Sequence, residues 1–367
     1  MTEADKHLLT FLLMYISGEE QDIHHSEIDW KRLMKLSSSQ AVTTLIIDCM
    51  QKHFVIRPDN KFFANEEDWM KFMKWIGKMI VVERNYANHK KAISDLARLY
   101  SSNGIRMMVL KGYGLSLDWP VPNHRPTGDL DIYNFGKWQD SDTVVAEQYG
   151  IKVDDRHEHH TVFRFDEVTV ENHYDFINTK AHRDAERIET RLKQLAEKDY
   201  NEIEVNGARV YLPSANFNAI FLMRHMAQHF AGDHLLLRQV LDWGFFVRAH
   251  SHEVDWTSTI EFLKEIGLYD FFNVVNAICV SNIGFSENVF PPIERQKQME
   301  ERILNDIFRP ESDEKKPHVG LFAVLSFKTR RWWRNRWKHQ LVYNDNLIMT
   351  FMTLAWSHLM RFETIKD

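Results

Sequence analysis

The chain has 367 residues, 44% hydrophobic and 27% charged, with a formal net charge of -6. Those proportions are ordinary for a globular protein, and the mildly acidic balance excludes a bulk electrostatic grip on nucleic acid, leaving only local patches. Cys49 and Cys279 are the only cysteines. So distant a pair supports neither a disulfide framework nor a structural zinc site, and suggests a reducing compartment, the cytoplasm.

No signal peptide is expected. Met1–Lys6 carries acids, and the apolar stretch Leu8–Ile16 is short and runs into Gly18-Glu-Glu. No window reaches the roughly 18 apolar residues that span a bilayer. Leu8, Leu9, Phe11, Leu12 and Tyr15 recur at helical spacing. Asp29-Trp30 opens a second helix, and Ser37–Gln40 reads as the start of a third that carries Val42, Leu45 and Cys49. Beyond a Pro58-Asp-Asn60 turn, Glu66–Tyr100 is one long helical pattern, with room for a kink, closed by Gly104.

A mixed region follows. Ile105–Leu110 and Gly128–Tyr133 read as strands around a Pro-punctuated loop, and Trp138–Tyr149 as a helix. Ile151–Val153 and Thr161–Phe165 read as short strands; Asp166-Glu167 is a tight turn into a further strand, Val168–Phe176. From Arg183 the pattern is helical again, with one short strand at Val210–Leu212 and Ser214 as an N-cap. The expected class is α+β: a small mixed β-sheet core between N-terminal and C-terminal helical regions. The expected units are 1–100 (helical), 101–182 (α/β core), 183–292 (helical, over the cleft) and 293–367 (helical extension). That extension holds an acidic Pro310–Pro317 linker, a basic segment and an apolar stretch, Leu347–Leu359.

The chemistry concentrates in Val109-Leu-Lys-Gly-Tyr-Gly-Leu115 and Arg125-Pro-Thr-Gly-Asp-Leu-Asp-Ile-Tyr133. Alternate strand residues share a face, so Asp129 and Asp131 project together. Like charges that close repel unless a cation lies between them. Glu171 shares its face with Thr169 and His173, and reaches the aspartates if its strand lies beside Gly128–Tyr133. Three carboxylates would make a hard-oxygen site suited to Mg²⁺, with Mn²⁺ as the other candidate. Such sites serve phosphoryl and nucleotidyl transfer.

Other residues admit two readings. Lys111 and Arg125 are candidate phosphate cations, or ion-pair partners. His173 binds substrate, orients a carboxylate, or is structural. His157-Glu-His-His160 reads as a solvated loop, lacking the partner spacing of a metal set. His225 and His229, four apart on one helix face, are packed histidines or a wall of a nucleotide cleft. Arg238 and Asp242 have the same spacing and form a helix ion pair or face that cleft. Lys328–Lys338 packs six cations and three tryptophans into eleven residues. It is an amphipathic helix with Trp inward, or a surface for nucleic acid or anionic membrane.

The Gly turn after a strand, an Asp-x-Asp strand and a later acid resemble the nucleotidyltransferase superfamily of DNA polymerase β. Leu110-Lys-Gly112, Arg125, Gly128-Asp-Leu-Asp131 and Val170-Glu-Asn-His173, with His225, His229, Arg238 and Asp242 downstream, are more closely similar to a bacterial family of uncharacterised nucleotidyltransferases, over about residues 1–250. The resemblance implies Mg²⁺-dependent transfer of a nucleoside monophosphate from an NTP, ATP foremost, to a hydroxyl of a small molecule, protein or RNA. It implies Asp129, Asp131 and Glu171 as metal-holding catalytic residues, and Gly112 as the point where backbone approaches the triphosphate. Lys111, Tyr113, Gly114, Arg125, His173, His225, His229, Arg238 and Asp242 would complete the nucleotide site. Two departures stand out: Gly112-Tyr113-Gly114 replaces the usual Gly-Ser or Gly-Gly, and the interval to Asp129 is longer. A nucleotide-binding protein without turnover, and a nucleic-acid binder acting through the Arg/Trp segment, are therefore the alternatives.

Overall fold

Short apolar runs bounded by turns make the strands: β1 (Met108–Val109), β2 (Leu130–Tyr133), β3 (His160–Phe165), β4 (Val168–His173), β5 (Tyr200–Val205) and β6 (Ala208–Pro213). The computed structural model describes residues 1–21, 23, 28–53, 66–180, 182–310 and 321–345. Its sheet has the order β3-β4-β2-β1-β6-β5. β2 runs antiparallel to β1 and parallel to β4, while the outer pairs β3–β4 and β5–β6 are antiparallel.

All of β2 is buried, and its alternation separates two environments. Leu130 and Ile132 join Val109, Phe163, Val170 and Val210 beneath Ile93, Leu96 and Tyr100 of α4 (Glu66–Ser102). Each such side chain contributes about 1.5–3 kcal/mol on burial. A one-residue slip would bring Asp131 into that core in place of Ile132, so the apolar face pins the register. On the other face Tyr133 packs on Phe176 at 4.6 Å, and Phe176 on Phe217 of α8 (Ala215–Gly232) at 4.9 Å. The long helix α4 runs unbroken for 37 residues.

Three local expectations are corrected. Ser37–Ser39 close α2 (Trp30–Ser39) instead of opening the next helix. The Ser37, Ser38 and Ser39 hydroxyls donate to the Met34 and Leu36 carbonyls, satisfying the helix end, and α3 starts at Thr43 and runs to His53. Ile151–Val153 form no strand; one bridge, Asp154 to Val162, marks the place. Val210–Leu212 is one arm of a full hairpin with β5. Its two-residue turn is Asn206-Gly207, with φ of 47° and 76°, as a type I′ hairpin turn requires.

The remaining helices flank the sheet or pack on one another. α1 (Glu3–Ser17) starts at a capping box between Thr2 and Asp5, and α5 (Gly112–Ser116) follows β1. α6 (Trp138–Tyr149) and α7 (Ala185–Lys198) follow β2 and β4 in the chain. α9 (Leu237–His250), α10 (Trp256–Glu265), α11 (Tyr269–Ile278), α12 (Lys297–Phe308) and α13 (Leu321–Val342) build one apolar core with α1–α3 and α8. The amide of Gln40, just after α2, spans that core, donating to the Ile307 carbonyl at 2.8 Å and accepting from the Leu237 amide at 2.9 Å. The basic, Trp-rich segment lies in α13. Trp337 is buried against Phe230, and Lys338, wholly buried, pairs with Asp306 at 2.6 Å; Trp333 is 61% exposed. Part of the segment is thus core. Leu347–Leu359 and most of the Pro310–Pro317 linker lie outside the described residues. No helix among the described residues is long and apolar enough to cross a membrane.

Asn172 of β4 is fully buried toward α6, where its amide donates to Asp142, to Ser141 and to the Trp138 carbonyl at 2.8, 2.9 and 3.1 Å. Asn134 bridges Asn172 and Ser141. Loss of the Asn172 amide takes a donor from the half-buried Asp142 carboxylate, leaving it the Thr161 hydroxyl, and removes the links to Ser141 and Trp138. Asn172→Ala is expected to lower unfolding free energy by about 2–4 kcal/mol, read as a fall in the urea midpoint at unchanged m-value.

Candidate active site

The strand β1 ends at Val109, and the Leu110 amide extends its pairing by bonding the Asp131 carbonyl at 2.9 Å. The chain then turns sharply at Lys111, whose φ of 46° and ψ of -125° suit glycine better than a residue with a side chain. Such a conformation costs on the order of 1–3 kcal/mol and persists only where surroundings enforce it. Here it aims the ammonium at Asp131 Oδ1, 2.7 Å away.

The parallel register of β2 and β4 sets Asp131 directly opposite Glu171 and Tyr133 opposite His173. Imidazole Nε2 of His173 lies 3.0 Å from Asp131 Oδ1 and 3.5 Å from Glu171 Oε2, and Nδ1 faces the Asp175 carbonyl at 3.2 Å. Burial resists ionisation of Asp131, but the Lys111 charge and the His173 hydrogen bond outweigh it and hold the carboxyl far below the usual range. The hydrogen bond from His173 lowers Glu171 as well. His173 is itself pushed down by burial, yet its bonds to both acids carry it above an ordinary histidine. Asp129 stands exposed at the mouth. Desolvation by the wall, then the charges of Glu171 and Asp131, raise its carboxyl.

These groups line one wall of a cavity of about 430 Å³. His225 and His229 of α8 form the facing wall, their Nε2 atoms 3.1 Å apart. Burial, then the Lys111 charge, keep His225 neutral by lowering it well below its ordinary value. A second charged cluster closes the site. Arg125, 3% exposed, binds Asp242 through Nε and Nη2 at 2.8 and 2.9 Å. Trp119 Nε1 donates to the same carboxylate at 2.9 Å, and Arg238 stands 3.6 Å from it.

Several sequence readings are thereby revised. Arg125 touches the cavity, but Asp242 holds two of its three nitrogens and the third donates to the Pro126 carbonyl, so it braces the wall instead of standing free for phosphate. Arg238 and Asp242 do line the cavity and stand 3.6 Å apart along α9, as expected, but Arg125 is the tighter partner of Asp242. Tyr113 and Gly114 turn away from the cavity. Tyr113 is buried with its ring 5.6 Å from Tyr86 of α4, and a Cβ on Gly114 would press on Leu212 at 3.3 Å. Gly112 does line the cavity, and a Cβ there would meet only the Asp129 carbonyl, at 3.9 Å. Of His157-Glu-His-His160, His157 and Glu158 are exposed as expected, whereas His159 is half-buried and His160 only 8% exposed, and both line the cavity. The signal available for them was their place at the head of an apolar strand whose partner ends in His173.

The clustered groups that could hold a cation include two of the three expected carboxylates, Asp131 and Glu171, with His173 in place of the exposed Asp129. Ligand atoms of Asp131, Glu171 and His173 lie within 4.8 Å of one another. After desolvation, the charges of Glu171 and Asp131 raise Asp129, and a cation between carboxylates relieves repulsion of that kind. Among known proteins, a family model described as uncharacterised nucleotidyltransferase matches residues 26–282. No curated protein and no solved structure matches the chain.

The site carries a pH signature. Burial, foremost, lowers His159 to about 3 and His160 to about 4. In the unfolded chain both titrate near about 6.5. The unfolded state therefore binds more protons between those limits, so stability falls as pH drops from about 6.5 toward about 4. Metal-free protein is expected to show this loss in urea midpoints measured across that window, and His160→Gln to flatten the slope.

Proposed function

The chain belongs to the uncharacterised nucleotidyltransferase family, and on that premise we propose that it transfers a nucleoside monophosphate from an NTP, ATP foremost, to a hydroxyl, releasing pyrophosphate. The observation that carries this reading is the β2–β4 register, which seats Asp131 against Glu171 inside a cavity with Asp129 at its mouth. Asp129, Asp131 and Glu171 would hold Mg²⁺, or Mn²⁺ in its place. When bound, the ion supplies charge neutralisation at the phosphates and at the attacking and leaving oxygens.

The chain's own residues do the remaining work by position and charge. Lys111, projected from its strained turn, gives the wall a fixed cation for the triphosphate. His173 donates to Asp131 and Glu171 and holds both carboxylates ionised and oriented. It is a positioning residue. Gly112 leaves bare backbone beside the aspartates, where a phosphate can approach without meeting a side chain. The acceptor hydroxyl would lose its proton to a carboxylate of the site, and Glu171, half-buried and held ionised, is the proposed acceptor. Neutral His225 and His229 face this wall and offer hydrogen-bonding surface for the nucleotide. Arg125, Trp119 and Asp242 keep the far wall rigid.

A radiolabelled-ATP transfer assay across small-molecule, protein and RNA acceptors tests the reading, with pyrophosphate release in parallel. Wild-type protein is expected to turn over only with Mg²⁺ or Mn²⁺. Asp131→Asn is expected to cost at least about 10²–10³-fold in rate, with the fold retained by circular dichroism. NTP binding by calorimetry without any turnover would favour a non-catalytic nucleotide-binding protein. Absence of metal-dependent NTP binding would overturn the proposal.

A further inference from the structure

We propose that the cavity offers an alternative, nitrogen-rich metal site, built from His159, His160 and His173 with Glu171 at its edge, which takes one borderline divalent ion of the zinc class in place of the carboxylate-held ion, His173 giving up the proton it otherwise donates to Asp131 and Glu171. The inference goes beyond the transfer reaction and stands without it. Ligand atoms of the three imidazoles lie within 4.8 Å of one another. Two nitrogens on a tetrahedral zinc stand about 3.3 Å apart, so a metal would draw these atoms together by at most about 1.5 Å.

The backbone holds these histidines in place. His160 lies directly opposite His173 in the β3–β4 pair, with ring centroids 5.1 Å apart. The His159 carbonyl accepts from the Tyr174 and Asp175 amides, both at 3.1 Å, which ties the preceding loop to the end of β4. His159 sits edge-on to His160 at 4.4 Å.

A separate observation points to a ligand. Nδ1 of His159 and Nδ1 of His160 are buried and make no hydrogen bond within the chain, and His160 as a whole is only 8% exposed. A buried polar atom left without a partner costs about 1–3 kcal/mol, so two of them side by side, both on cavity-lining rings, mark a place where something binds. The chemistry separates this site from the carboxylate wall: imidazole suits zinc-class ions, carboxylate suits magnesium. Glu171 faces both, with Oε1 3.8 Å from His160 Nε2 and Oε2 3.5 Å from His173 Nε2.

The test uses full-length protein stripped of metal by a chelator and titrated with Co²⁺ alone. One equivalent is expected to bind with the intense visible absorption of four- or five-coordinate, nitrogen-ligated cobalt, displaced by Zn²⁺ and not by Mg²⁺. His159→Ala and His160→Ala are each expected to weaken Co²⁺ binding by more than about 100-fold, beyond the 10–100-fold typical of outer partners. Asp129→Asn is expected to retain it, which separates the histidine set from the carboxylates. His159→Gln and His160→Gln, checked by metal-free thermal unfolding, give the same answer if an alanine variant does not fold. Unchanged Co²⁺ affinity in folded histidine variants, or a pale six-coordinate spectrum in the unsubstituted protein, overturns the proposal whether or not nucleotidyl transfer is found.

Discussion

The burial of Asp131 is the constraint that most of the site answers to. An ionised carboxylate inside a protein costs several kcal/mol unless charge and hydrogen bonds compensate it. Asp131 is 7% exposed and sits in the middle of a strand whose other face is apolar core. It can move neither to solvent nor to another register. Compensation therefore has to come to it: Lys111 from the turn after β1 and His173 from β4 both converge on Oδ1. The strained backbone at Lys111 has its explanation here. A relaxed turn would point the side chain elsewhere and leave the acid with one partner.

That arrangement also divides labour between the two faces of the sheet. The α4 face is apolar and sets the register by burial. The opposite face is then free to be polar, since Leu130 and Ile132 already anchor the strand. Asn172 repeats the logic on β4, fastened to α6 while its neighbours Glu171 and His173 point into the cavity. Rigidity on one side permits closely spaced charges on the other. Without it, Asp129, Asp131 and Glu171 would relax their repulsion by moving apart.

The legible part of this architecture was the local part. Alternation put Asp129 with Asp131, and Glu171 with Thr169 and His173, while their meeting depended on β4 lying beside β2; the strand–turn–strand around Asp166-Glu167 was plain from its composition. Asn206-Gly207 between two alternating runs was an equally readable hairpin turn, but the short apolar content of Tyr200–Val205, half of it polar and exposed, masked the first arm. The serines at 37–39 misled for a physical reason: serine bonds backbone at either end of a helix, and the direction depends on which carbonyls are orphaned. Contacts between distant segments were not legible at all. Asp242 has a cation four residues away on its own helix, so Arg238 was the obvious partner. The tighter bond comes from Arg125, 117 residues distant. His160 is a different case: the hairpin about Asp166-Glu167 already sets it opposite His173, and reading its segment as a solvated loop left that register unused.

The long interval between Gly112 and Asp129 looks different once those distant bonds are known. A loop of that length would ordinarily be mobile, and a mobile loop would serve Asp129 poorly. This one is clamped along its course. Trp119 and Arg125 bind Asp242 on α9. His124 bridges Asp48 on α3 and Glu83 on α4, at 2.8 and 3.1 Å, and Thr44 of α3 donates to its carbonyl. Asn123 reaches the same Glu83, and His89 of α4 lies 2.7 Å from the Gly128 carbonyl, next to Asp129 itself. Helices from before and after the sheet thus converge on one connection. The additional residues give up flexibility and in return tie the carboxylate wall to the α8–α9 wall across the cavity. Their length is what allows Arg125 to reach Asp242, and the helical layers on both sides of the sheet become part of the site's rigidity.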